Sequence, residues 1–244
     1  MSRFVALTKR ELLAYFFAPV PYLVMFVFLF ITWSVVQMSL AGRQARTDFL
    51  PVFETLTFIL LFLIPLLTMN TVAEERSRNT LETLLTAPVT DWQVIVSKWL
   101  GTFIYYTVMI APTLIYWPVF KVLGQDKAPL DPGPMASAYV GALLLGGLYI
   151  AIGVFWSSLT ENGLLSAFLA FCTMILMMVF QVIPWFRDSA PEWMRNATEF
   201  VSQQAHFESF LHGQIAMFDV GYFVMMTVLF LFLSVRSLES RKWR

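Results

Sequence analysis

Six apolar runs, each close to the length of a bilayer-crossing helix, dominate the chain. They fall at roughly 20–40, 55–73, 94–120, 136–158, 163–186 and 216–235. A helix needs roughly 20 apolar residues to cross the hydrocarbon core. Only a helix, or a closed barrel of alternating strands, satisfies its backbone there, and the alternating pattern is missing. These runs predict an all-α polytopic membrane protein of six transmembrane helices, with the third span long enough to tilt or to extend past the membrane. Composition agrees: 58% of residues are hydrophobic, 13% are charged and the mean hydropathy is +0.69. A soluble domain carries about 25% charged residues. Formal net charge is zero, so nothing points to nucleic acid. The single cysteine, Cys172, lies in an apolar run. It permits no intrachain disulfide and reads as a buried small hydrophobe.

Six spans put both termini on one side. With the termini inside, Arg3, Lys9, Arg10, Arg76, Arg78, Lys98, Arg236, Arg241, Lys242 and Arg244 are cytoplasmic. Arg43, Arg46, Lys121, Lys127, Arg187 and Arg195 are outside. Basic residues favour the cytoplasmic side, so cytoplasmic termini are expected. No cleavable signal peptide is evident, since no small-residue cleavage site follows the first run. Residues 1–18 read as an amphipathic interfacial helix instead. Phe4, Leu7, Leu12, Tyr15 and Phe16 gather near one side, Lys9 and Arg10 snorkel from the other, and Pro19 and Pro21 break the chain before the first span.

Three stretches lie outside the spans. In 74–88, Glu74, Glu75 and Arg76 mark the exit from lipid, and Leu81, Leu84 and Leu85 form an apolar stripe at helical spacing that Pro88 stops. That stripe has to be covered by the protein's own helices, by lipid or by a partner's groove. Asp91 is the expected N-cap of the next helix. The tight turn from Ser157 to Asn162 presents Thr160, Glu161 and Asn162, with Thr160 or Asn162 as a cap. The outer segment 187–214, between spans five and six, mixes Trp193, Phe200, His206, Phe207 and Phe210 with Glu192, Arg195, Glu199 and Glu208, and reads as one or two amphipathic helices at the outer interface.

Several chemistries are missing. There is no G-x-x-x-x-G-K-[ST] phosphate loop, no H-E-x-x-H and no G-x-S-x-G. His206 and His212 read as interfacial or packing residues rather than metal ligands. Glu54 and Asp219 lie near outer span ends, so no midplane acid of an ion-coupled carrier is in place. Gly141, Gly146, Gly147 and Gly153 fall in the fourth span, where they fit close helix packing or simply bilayer composition.

The stretch Ala73-Glu74-Glu75-Arg76, Thr80-Leu81-Glu82, Leu84-Leu85 and Pro88, followed by Trp92, Gln93 and Lys98, resembles the ABC-2 type transporter permeases. It looks closest to their gliding-motility and nitrous-oxide-reductase maturation subgroup. The turn Ser157–Asn162, the run His206-Phe207-Glu208 to Gly213 and the ending Arg236-Ser237-Leu238-Glu239 resemble the same subgroup. The resemblance implies one transmembrane domain over 1–244, in which 74–88 is a cytoplasmic coupling helix and Thr160, Glu161 and Asn162 make a second cytoplasmic contact. It implies a permease that is not itself an enzyme and holds no cofactor, with ATP and Mg in a partner ATPase. Two ATPase copies, a second permease chain (identical or related) and the bacterial cytoplasmic membrane complete the expectation. The coupling residues are Glu74, Glu75, Arg76, Thr80, Leu81, Glu82, Leu84, Leu85 and Pro88, the charges anchoring the helix start and the leucines docking. ATP hydrolysis would drive substrate export or translocation. The alternative implied by the subgroup is an ATPase-driven mechanical component of a cell-surface machine.

Overall fold

The structure is a computed structural model and describes residues 3–41, 49–77, 90–123, 132–179 and 201–240; among these there is no strand. Helices α1 (Arg3–Phe17), α2 (Pro19–Ala41), α3 (Leu50–Thr68), α4 (Ala73–Ser77) and α5 (Asp91–Ile110) form the first half. A 3-10 turn (Ala111–Ile115) leads into α6 (Tyr116–Leu123), followed by α7 (Pro132–Leu159), α8 (Gly163–Val179), α9 (Gln203–Leu211) and α10 (Met217–Glu239).

Five stretches are long and apolar enough to cross a membrane: Pro19–Ala41, Leu50–Ser77, Asp91–Leu123, Pro132–Leu159 and Met217–Glu239. The apolar helix α8 is shorter as described, because the sequence's fifth run, 163–186, continues beyond the described residues. The third stretch is one long path of α5, 3-10 turn and α6, as its 27-residue apolar run predicts. Pro112 falls at the start of the 3-10 turn, among the first positions of a helix where proline is tolerated.

Helix α7 is the centre of the bundle. Of its most apolar residues 72% are buried, against 22% for α2 at the periphery. Leu145 and the run from Leu148 to Ile152 have no exposed surface. The row of small residues explains the position. A β-carbon at Gly146 would fall inside the Tyr106 ring of α5, one at Gly153 would meet the Thr68 side chain of α3, and one at Gly141 would lie 2.8 Å from Phe210 of α9. In lipid, where apolar burial gives helices no reason to associate, such close contact is what holds them together. Of the two readings of the glycines, packing is therefore the one realised.

Helix α1 is separate from α2, as the amphipathic pattern predicts. The break is the single residue Ala18, and Pro19 and Pro21 sit in the first turn of α2, where proline is tolerated. Its inward face is polar as well as aromatic. Tyr15 stacks on Tyr105 at 5.3 Å, and its hydroxyl donates to the Leu67 carbonyl at 3.1 Å and shares a 2.8 Å hydrogen bond with Thr102. Burial raises the Tyr15 hydroxyl pKa far above the ordinary phenol value.

Two expectations need correction. Asp91 is not the N-cap of α5. Thr90 is, in a capping box: its side chain accepts from the Gln93 N–H, and the Gln93 side chain accepts from the Thr90 N–H. Cys172 is exposed on α8, not buried. It lies among the exposed Leu164, Leu165, Phe168 and Leu176, so it belongs to the helix's outward apolar face.

Candidate functional site

The charged end of the bundle gathers α1, α4, the start of α5, the α7–α8 turn and the end of α10. It is built on how α3 finishes. The chain leaves α3 at Thr68, turns through Met69–Val72 and starts α4, whose first N–H groups have no partner within the helix. Ser157 of α7 supplies one. Its hydroxyl accepts from the Val72 and Ala73 N–H groups at 3.0 Å each and donates to the Met69 carbonyl at 3.1 Å. The hydroxyl's donor and both acceptor positions are thereby used, and Ser157 has no exposed surface. Ser157→Ala should lower stability by about 1–3 kcal/mol, because two buried donors lose their acceptor; thermal unfolding of the purified protein checks this.

Clamped this way, α4 directs Glu75 and Arg76 to opposite sides. Glu75 faces α1 and α5, where Lys98 Nζ lies 2.9 Å from Glu75 Oε2 and 3.3 Å from Glu11 Oε2. Arg10 on α1 completes the network, with 2.6 Å to Glu11 and 3.0 Å to Glu75. Lys98 is 1% exposed. Partial burial opposes the Arg10 charge, but the hydrogen bonds and charges of Glu11 and Glu75 outweigh it and raise the guanidinium pKa.

Arg76 faces the α7–α8 turn. Its Nε donates to Glu161 at 3.0 Å and its terminal nitrogen to the Ser158 carbonyl at 3.2 Å. The Ser237 hydroxyl of α10 donates to that same carbonyl at 3.3 Å. The Asn162 side chain caps α8, accepting from Leu164 N–H at 3.0 Å and Leu165 N–H at 3.4 Å, while the Thr160 hydroxyl donates to the Trp156 carbonyl at 3.1 Å. Thus of the predicted site residues the structure joins Arg76 to Glu161, while Glu75 turns away to α1 and α5, and Thr160 and Asn162 cap their own helices. Thr80, Leu81, Glu82, Leu84, Leu85 and Pro88 lie outside the described residues.

A second polar cluster sits at the opposite end. His206 Nδ1 on α9 lies 2.7 Å from Asp219 Oδ1 on α10, both residues are buried, and the imidazole stacks on Tyr222 at 4.1 Å. Next to it, Gln203 donates to the Tyr149 hydroxyl, and the Tyr222 hydroxyl donates to the Val201 carbonyl at 2.7 Å. The α9 part of the expected outer segment is therefore built into the bundle, with Phe207 and Phe210 fully buried; residues 187–200 are outside the described set. Among the described residues, no group of three or more His, Cys, Asp or Glu is placed to hold a metal ion.

Long apolar helices joined at a charged end define a multi-pass helical membrane protein. The family model of the ABC-2 family transporter proteins matches residues 47–236, and the chain belongs to that family. It is accordingly a permease component of an ABC transporter, which works with an ABC ATPase to which ATP and Mg belong. A comparison with curated proteins gives no match.

Proposed function

We propose that the charged end receives the stroke of the partner ATPase and distributes it to the spans, so that ATP hydrolysis drives substrate across the bilayer. The observation that carries this reading is the position of Arg76. It ties the start of the predicted coupling segment to the α7–α8 turn, whose Ser158 carbonyl is also held by α10. A push delivered at 78–88 would reach α7, α8 and α10 through Arg76 and Ser157, and α1 and α5 through Glu75. The excess of basic residues at this end favours a cytoplasmic location, with both termini inside and six spans in all. Two such permease chains would pair with two ATPases in a bacterial cytoplasmic membrane.

The test is co-reconstitution with the cognate ABC ATPase in nanodiscs. Leu84→Asp should abolish co-purification by placing a charge in the docking stripe. Arg76→Ala should leave co-purification intact, because it does not alter the leucine stripe, and the Ser158 carbonyl keeps its hydrogen bond from Ser237. It should nevertheless lower the permease-dependent part of the ATPase activity. Indifference to both substitutions would remove 74–88 as the coupling element.

A further inference from the structure

Beneath α4, a cavity of about 400 Å³ opens between α1, the first turn of α2 and the end of α3. Its two halves differ in chemistry. Glu11, Glu74, Glu75 and Lys98 line one half, whereas Ala14, Ala18, Val20, Pro21, Leu66 and Leu67 line the other. The size falls within the range that takes a small organic ligand. Three carboxylates set against the Lys98 ammonium and the Arg10 guanidinium, which pairs with Glu11 and Glu75 from outside the cavity, leave the polar half with one carboxylate in excess. A carboxylate already held by Lys98 or Arg10 keeps lone pairs for a further donor.

The apolar half says where a ligand comes from. Val20 and Leu66 line the cavity and are also exposed, at 45% and 39%, on the flanks of α2 and α3. Beside them Phe17, Leu23 and Phe26 are exposed too. These are the flanks of two membrane-spanning stretches, so the cavity is continuous with the surface that lipid covers, and its acidic floor lies where the spans end.

We infer that this cavity binds a bilayer lipid with an ammonium head, the head hydrogen-bonded to the Glu11 and Glu74 carboxylates and the chain passing out over Val20 and Leu66. Lipids with a purely anionic head are repelled by the same carboxylates. The site shares Glu74 and Glu75 with the coupling segment proposed above, but lipid binding does not rest on that role and its test needs no ATPase.

The full-length protein, purified in a mild detergent and exchanged against phosphatidylethanolamine or phosphatidylglycerol, is weighed by native mass spectrometry. One phosphatidylethanolamine per chain should be retained, and phosphatidylglycerol should be held about tenfold more weakly, as expected for losing one charge-assisted hydrogen bond. Ala14→Trp, which fills the cavity from an exposed position without touching the charges, should displace the bound lipid. Glu74→Gln should lower the preference for the ammonium head. Equal retention of the two lipids overturns the assignment, as does retention that neither substitution changes. Should Ala14→Trp fail to fold, the lipid preference of the parent and its loss in Glu74→Gln decide alone.

Discussion

Replacing Lys98 with methionine is expected to cost about 3–5 kcal/mol, the range for removing one partner of a buried ion pair. Methionine matches the lysine stem in length and retains its packing. The loss is therefore that of the ammonium, which in the parent lies between Glu11 at 3.3 Å and Glu75 at 2.9 Å. Both carboxylates then face each other without the ammonium between them, and Arg10, which pairs with both, is half in solvent. The result to look for is a large fall in the thermal unfolding temperature in detergent. Adding Glu11→Gln should recover part of it, since the second substitution removes one of the stranded charges. A Lys98→Met protein as stable as the parent would mean that the network is solvated, and that α1 is held on α5 by its aromatic contacts and the Tyr15–Thr102 hydrogen bond.

The second large effect is expected at Gly146. Gly146→Val places a branched side chain where the Tyr106 ring sits. Tyr106 is fully buried, and its hydroxyl donates to the Ala142 carbonyl at 2.7 Å, one turn away on the same helix. Moving the ring both overpacks the α5–α7 contact and strands the hydroxyl. The cost should be about 3 kcal/mol or more, the sum of overpacking and a buried unsatisfied polar group. Gly147→Ala is the control. A β-carbon there meets Phe103 at 3.4 Å, an ordinary contact, so it should be nearly silent. Unfolding temperature and size-exclusion profile of the pair read the difference; equal behaviour would place the α5–α7 contact elsewhere.

Five of the expected spans were legible because bilayer thickness sets a length that no soluble helix has to meet. The separate α1 was legible from its charges and the prolines after it. What apolar runs do not encode is which side of each helix faces inward. In water, exposure selects against apolar surface; in lipid it does not, and so Cys172, apolar and mid-run, was assigned to the interior when it faces out. The α5 cap was readable, since Thr90-Asp91-Trp92-Gln93 has the spacing of a capping box, and Asp91 drew the assignment only because it is the stronger single signal. The lysine network had one local sign, a charge inside the run 94–120. Counting Lys98 with the loop charges hid it. Its partner Glu11 is 87 residues away, and no spacing rule reaches that far. Of the two readings open for His206, interfacial or packing, its burial favours packing, but its pairing with Asp219 depends on how α9 folds back onto α10.

The glycine row of α7 also limits how this protein can move. Three neighbours, Tyr106, Thr68 and Phe210, each occupy a notch on that helix, much as keys lock a shaft. Turning α7 about its own axis would eject all three together. Rearrangements that preserve the bundle therefore have to carry α3, α5, α7 and α9 as one block, with α1 fastened to α5 by Lys98 and Tyr15, and relative displacement falls to the peripheral α2, which meets α1 at the single residue Ala18.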